Sequence, residues 1–412
     1  MPSARRVAEP PVASLPRHER GAAGPLWRTG AIQLALLWLG GFDLRVTILA
    51  VPPVIPAIHR DLGLDETMIS VLTGLPVLLL GVAAIPGSLL IARAGVRRAL
   101  LGGLVAIGAG SLLRGVGPSL VLLLAMTAVM GAGVAVSQPA FPTLTREWFP
   151  AGIALATAVY SNGLLVGEMV PATFTGPLVA PALGGSWPVT LAFWSVPAFV
   201  AAGLLLLATR REPEPVAGPR RLWLPDFRDG RMWRAGLVMG FASAAYFGTN
   251  TFIPDFVRVT GHPGLKDAGL TALNGCQLAA SFVILALGRR LVGARWPFVL
   301  AGVLLVGGTL GVVVASGPWI VLWASVIGFA SALALILTLA LPPLLAEEAD
   351  VARLSAGIFL IMYGSSFVGP LLGGAAWDAT GRPAAPFLVL AAGGVAMIVL
   401  AAGTRLRERA RA

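Results

Sequence analysis

Twelve apolar stretches, each long enough to cross a bilayer, leave this chain very few ways to fold. They run roughly over 31–57, 67–92, 98–116, 119–142, 151–175, 186–209, 232–256, 267–290, 296–315, 318–343, 354–376 and 385–404. A helix that spans the hydrocarbon layer needs about 20 residues, whereas a barrel strand alternates over about 10. These stretches are rich in Leu, Ala and Gly and do not alternate, so they read as helices. Backbone hydrogen bonds in lipid must close within the segment, which leaves little alternative. Charged residues make up 12% of the chain, against about 25% in an ordinary soluble domain. The expected class is an all-α polytopic membrane protein with twelve transmembrane helices.

The formal net charge of +11 raises the question of nucleic acid, and its distribution answers it. With the N-terminus in the cytoplasm, most of the 30 basic residues fall on that side. They include Arg93, Arg97, Arg98, Arg146, a run from Arg210 to Arg234, Arg295, Arg353 and both tails. Arg60, Arg114, Arg258, Lys266 and Arg382 fall on the other side. This positive-inside pattern implies that both termini are cytoplasmic, and it accounts for the basic excess without nucleic acid. The lone cysteine, Cys276, permits no disulfide within the chain and reads as an apolar filler.

The organisation is six plus six. A cytoplasmic tail (1–30) precedes a first six-helix bundle (31–209). A polar, proline-bearing loop (210–231) leads to a second bundle (232–404) and a short cytoplasmic tail (405–412). The halves echo one another: Gly95-Val96-Arg97 follows the second span and Gly293-Ala294-Arg295 follows the eighth. Parallel repeats of this kind place a substrate site between the halves near mid-bilayer. Most of the eleven Trp lie at span ends (Trp27, Trp148, Trp187, Trp223, Trp233, Trp296, Trp319 and Trp377), as expected of an interfacial belt.

Arg45 sits inside the first span, in Asp43-Leu44-Arg45. An arginine at that depth costs at least ~2.5 kcal/mol, and such charges usually face a polar path. Asp43 is a poor partner on the same helix, since residues two apart point about 200° apart. Glu168, in the fifth span, is the other acid expected well inside the bilayer. Asp43 and Glu168 are therefore the candidate proton carriers. A static pairing of Arg45 with either acid, tying helices together, is the plainer alternative. Tyr160, Tyr246 and Tyr363 lie within spans, and a buried phenol finds a partner. Tyr246 has Asn250 one turn away, which favours a polar lining there. Asn274 and Gln277 share a face of the eighth span. Any of these polar groups can also simply stitch helices together.

A family resemblance enters at these residues. Twelve spans in two halves, with a short Gly-x-Arg loop after the second, resemble the major facilitator superfamily. More narrowly, Asp43-Leu44-Arg45, Pro52-Pro53-Val54-Ile55-Pro56, Asp61-Leu62-Gly63-Leu64 and Leu72-Thr73-Gly74-Leu75-Pro76-Val77 resemble the opening of its cyanate and nitroimidazole porter branch. The likeness implies two pseudo-symmetric six-helix bundles and a loop at Gly95, Arg97 and Arg98 that acts in gating. It also implies a bacterial inner-membrane transporter, monomeric and without cofactor. Two positions depart from the pattern. Ala92 stands where the superfamily loop usually has aspartate, and Asp43 stands where the branch usually has asparagine.

Arg45 offers a planar, permanently charged fork of donors, suited to a small anion or a polarised planar group such as cyanate, nitro or carboxylate. The substrate-binding set expected is Arg45, Tyr160, Tyr246, Asn250, Asn274, Gln277 and Tyr363. The alternative is a proton-coupled drug or metabolite exporter of the same fold. No Gly-Lys-Ser/Thr loop, Cys/His cluster or Gly-x-Ser-x-Gly elbow points to ATP hydrolysis, a metal or a hydrolase. The expected partners are a small solute, the bilayer and protons.

Overall fold

The computed structural model describes residues 26–150, 152–208, 225–346 and 351–403. Most of the expected tails and of the central loop lies outside them. Helices make the whole of the described architecture. The first half comprises α1 (Leu26–Leu49), α2 (Ile55–Leu62), α3 (Glu66–Val82), α4 (Ala84–Ala94), α5 (Val96–Leu113), α6 (Leu120–Ser137), α7 (Ala140–Trp148), α8 (Ile153–Phe174), α9 (Ala180–Ala182), α10 (Trp187–Phe193) and α11 (Val196–Ala208). The second comprises α12 (Gly230–Val259), α13 (Lys266–Leu291), α14 (Trp296–Val314), α15 (Trp319–Leu339), α16 (Pro342–Leu345), α17 (Val351–Thr380) and α18 (Ala385–Ala402).

Local chemistry sets the ends of these helices. The Asp65 carboxylate accepts from Met68 N at 2.7 Å and caps α3; Asp229 does the same for α12, from Arg231 N at 2.8 Å. Gly95 (φ 85°) turns α4 into α5, and Gly293 (φ 80°) makes the matching turn after α13. Both are left-handed positions that favour glycine. The weak Gly-x-Arg echo thus marks one repeated turn.

The packing repeats as well. In the first half α1 runs along α8, α3 along α6, α5 along α6 and along α11. In the second, α12 runs along α17, α13 along α15, α14 along α15 and along α18. Each pairing in one half has its counterpart in the other. The halves meet through α3 against α17 and α8 against α13, two seams that exchange under the same pseudo-two-fold. Large apolar side chains such as Leu285, Val314 and Val121 are more than three-quarters exposed, which suits a lipid-facing surface.

Ten helices among the described residues are by themselves long and apolar enough to cross a membrane, and the two other expected spans are helical as well. The second expected span is broken at Ala83 into α3 and α4. The seventh is the 30-residue α12, whose Tyr246, Thr249, Asn250 and Thr251 dilute its apolar run. Two expectations need correction. Arg114 stands in the turn that ends α5 but does not face solvent. It is fully buried, with Nη2 on the Thr47 carbonyl (3.1 Å) and on Ser111 Oγ (2.9 Å). Trp187 and Trp377 are buried in the bundle instead of standing in a belt; Trp187 Nε1 donates to Asp61 at 3.0 Å. Trp233, Trp296 and Trp319 are exposed at helix ends as expected. The side chain of Trp27, and all of Trp223, lie outside the described residues.

Candidate functional site

The α1–α8 crossing brings the central charges together. A side chain at Gly163 would place its Cβ 2.1 Å from the Trp38 carbonyl oxygen, and one at Gly167 would come within 2.4 Å of the Phe42 carbonyl. Only glycine permits that approach. Trp38 Nε1 adds a bond to Asn162 Oδ1 at 2.8 Å, so Asn162 stitches the crossing. One turn along α1 from Phe42, and next to Gly167 on α8, Arg45 and Glu168 face each other. Arg45 Nε lies 3.2 Å from Glu168 Oε1, with the two side chains 14% and 11% exposed. The contact lacks hydrogen-bond geometry, and the buried Arg45 Nη1 has no hydrogen-bond partner. The guanidinium keeps donors to spare and some access. Tyr160 and Tyr363 bring their phenols into electrostatic range of it.

Glu168 reaches across to the second half. Its Oε2 accepts from Gln277 Nε2 at 2.8 Å and lies 3.1 Å from Tyr246 Oη. The direction of each bond follows from the backbone. Asn250 Nδ2 donates to the Tyr246 carbonyl (3.1 Å), so its Oδ1 turns to Asn274. Asn274 Nδ2 donates to that Oδ1 (3.0 Å) and to the Leu270 carbonyl (2.8 Å). Both amide hydrogens of Asn274 are then used, and its Oδ1 accepts from the Tyr246 hydroxyl at 2.5 Å. Tyr246 has a single proton. With that proton on Asn274, the contact between Tyr246 Oη and Glu168 Oε2 pairs two oxygens across a place for one more.

The structure therefore gathers Arg45, Glu168, Tyr246, Asn250, Asn274 and Gln277 into one network spanning both halves. Tyr363 joins its edge. Gln138 Nε2, at the end of α6, donates to Tyr363 Oη across the halves (3.2 Å). Tyr160 stacks on Phe141 at 5.3 Å between centroids. Asp43 stands apart. It is fully buried, and neither carboxylate oxygen has a hydrogen-bond partner. Gly95, Arg97 and Arg98 lie at the α4–α5 turn, where Arg97 Nη2 reaches the Leu206 carbonyl at 3.5 Å. A cavity of about 390 Å³ lined by Arg231, Arg234 and Arg295 lies within the second half and shares no residue with the network.

Sequence reasoning missed a second polar cluster, at the helix ends opposite the α4–α5 turn. Glu168 is not the only deeply buried acid. Asp255 is fully buried and Glu66 nearly so. His59 Nδ1 lies 3.2 Å from Asp255 Oδ2 and 3.7 Å from Glu66 Oε1. Asp378, on α17, accepts from Glu66 N (3.0 Å) and Thr67 N (2.8 Å), capping α3 from the other half. Thr73 meets Thr251 at 2.9 Å, and Lys266 Nζ donates to the Pro53 carbonyl at 2.8 Å. These contacts latch the halves together at this end. No local sequence pattern links His59, Glu66, Asp255 and Asp378, which stand at the ends of four different helices.

Comparison with known proteins decides the family. The family profile described as Major Facilitator Superfamily matches residues 37–276. The chain belongs to that superfamily. It is 29% identical over 313 residues to "Cyanate transport protein CynX" of Escherichia coli (strain K12), covering 75% of this chain and 80% of that one. It is 26% identical over 358 residues to the "2-nitroimidazole transporter" of the same organism, covering 84% and 88%. Among solved structures, a bacterial homologue of the human lysosomal transporter Spinster, inward-facing and occupied, superposes with a TM-score of 0.72 at 16% identity. That match covers 92% of this chain and 96% of the other. A D-xylose–proton symporter superposes with a TM-score of 0.73 at 13% identity, covering 90% and 97%. The fold is the major facilitator fold, and the chain is a multi-pass membrane transporter.

Proposed function

We propose that this protein is a secondary active transporter for a small anionic or polarised solute, of the cyanate, nitro or carboxylate kind. The two halves rock about a site at Arg45. The observation that carries this reading is the Arg45–Glu168 pair. A permanently charged guanidinium sits beside the seam between halves with an unpartnered Nη1, and its counter-ion is held by Tyr246 and Gln277 of the opposite half. A bidentate anion suits the free face of such a fork. Two of the relatives, a cyanate transport protein and a 2-nitroimidazole transporter, are named for solutes of the same chemistry.

Proton coupling through Glu168 is the second part of this reading, and bond direction supports it. When a solute anion takes over Arg45, Glu168 loses its counter-charge in a low-dielectric site. A proton on Oε2 restores neutrality and donates to Tyr246 Oη, the acceptor that the Asn250–Asn274 chain leaves open. Solute and proton then move together. Asp43 stays a candidate second carrier, on the other face of α1. Following the basic-residue asymmetry, the α4–α5 end is cytoplasmic and the His59 end faces outward.

Labelled cyanate uptake into proteoliposomes under an imposed pH gradient tests the proposal. Saturable uptake stimulated by the gradient is expected of the native protein. Glu168→Gln is expected to retain exchange but lose the stimulation. A native protein that moves 2-nitroimidazole outward and ignores cyanate would favour the exporter reading. Unchanged gradient dependence in Glu168→Gln would remove Glu168 from coupling.

A further inference from the structure

The latch at the outward end holds a group of ligand atoms that the transport reading does not use. His59 Nδ1, a Glu66 carboxylate oxygen and Asp255 Oδ2 all lie within 4.8 Å of one another. A tetrahedral ion bound at about 2.0–2.2 Å needs ligand atoms roughly 3.3–3.6 Å apart. The observed 3.2 Å (His59–Asp255) and 3.7 Å (His59–Glu66) are close to those edges. Glu66 is 5% exposed, and its Oε2 is buried without a hydrogen-bond partner. A carboxylate oxygen left bare in such a place lacks a cation or a donor.

The surroundings sharpen this. Arg258 Nε and Nη2 hold Asp255 Oδ1 at 2.8 and 2.7 Å, which orients the carboxylate and leaves Oδ2 for the cluster. Asp378 is committed to the α3 backbone, and its bond to Glu66 N pins the start of that helix. Three carboxylates (Glu66, Asp255, Asp378) thus face one arginine and a histidine. One imidazole with two carboxylates suits Zn²⁺ or a neighbouring transition metal; Mg²⁺ and Ca²⁺ prefer all-oxygen shells.

We propose that His59, Glu66 and Asp255 bind one divalent transition-metal cation of the Zn²⁺ kind, which clamps the two halves at the outward end. His59 and Glu66 belong to the first half, on α2 and α3, and Asp255 to the second, on α12. An ion bridging them holds that end shut, so its binding opposes the opening that each transport cycle requires.

Zinc binding is read without any solute, so its outcome is independent of the anion site. Tag-free, metal-stripped full-length protein is titrated with ZnCl₂, with MgCl₂ as control, and followed by thermal unfolding. The expected result is a rise in Tm that saturates at one Zn²⁺ per chain, with no rise for Mg²⁺. His59→Gln and Glu66→Gln each weaken the Zn²⁺ response at least tenfold. Zinc-edge X-ray absorption of the native complex, which needs no variant to fold, is expected to show one imidazole nitrogen with oxygen neighbours. Absence of a Zn²⁺-dependent shift, a shift undiminished in both variants, or coordination without imidazole would each overturn the site.

Discussion

Two buried arginines in the same half make the instructive comparison. Arg45 and Arg114 both lie within the first bundle, and both contact or belong to α1. Arg114 is fully buried, has no carboxylate partner, and spends Nη2 on the Thr47 carbonyl and Ser111. Arg45 keeps 14% of its side chain accessible, faces Glu168, and through it couples to Tyr246 and Gln277 of the other half. Burial alone therefore does not single out the arginine proposed to hold the solute. What separates the two is whether the charge looks into its own bundle or toward the seam between the halves.

Variants at the two positions test this contrast most strongly. Arg45→Ala is expected to leave a folded protein whose cyanate uptake falls more than a hundredfold, in line with the roughly 3 kcal/mol of binding lost when a bound charge loses its buried partner. Arg114→Met is expected to do the opposite. Uptake stays near native, and stability moves by no more than about 1 kcal/mol, because apolar replacement of a poorly paired buried ion is often neutral. Uptake assays and thermal unfolding on both variants check the pair. Equal loss of uptake in both would erase the distinction.

Gly163→Ala probes the crossing that supports only Arg45. A Cβ 2.1 Å from the Trp38 carbonyl forces α1 and α8 apart, at about 1–3 kcal/mol. Uptake is expected to drop by about tenfold, with a matching fall in Tm; native behaviour would show that the crossing does not set the Arg45–Glu168 geometry.

The smallest effect belongs to a charge with no link to either arginine. The Arg231 side chain beside Asp229 holds its carboxyl below the usual carboxylate range. A depressed value means that its stabilisation is present at neutral pH and fades as pH falls through the depressed value. Asp229→Ala is expected to cost about 0.5–1 kcal/mol at neutral pH through loss of the α12 cap, with the difference closing in acid. Unfolding curves across pH check it, and uptake should not change.

Much of this was legible because lipid makes the code coarse. Long apolar runs gave most spans, and the two loop glycines marked the repeat. Arg45 and Glu168 stand out as charges in apolar surroundings, and spacing pairs Tyr246 with Asn250 on α12 and Asn274 with Gln277 on α13, but not the two pairs with each other. Other features depend on contacts far apart in sequence. Arg114 follows directly on Leu112 and Leu113 at the end of a span, where it reads as a loop residue until α1 is seen to fold over it. His59, Glu66 and Asp255 look like separate span-end residues, and only the α12–α3 and α12–α2 packing unites them. Asp43 was conspicuous for its charge, yet helical phase turns it away from Arg45.

Equilibrium binding of cyanate to purified protein, by titration calorimetry at neutral pH, tests the central claim most directly. Glu168 competes with the solute for the Arg45 guanidinium, so Glu168→Gln should bind cyanate more tightly than the native protein, and Arg45→Ala should not bind it. Native-strength binding by Arg45→Ala, or weakened binding by Glu168→Gln, would contradict an anion site at Arg45.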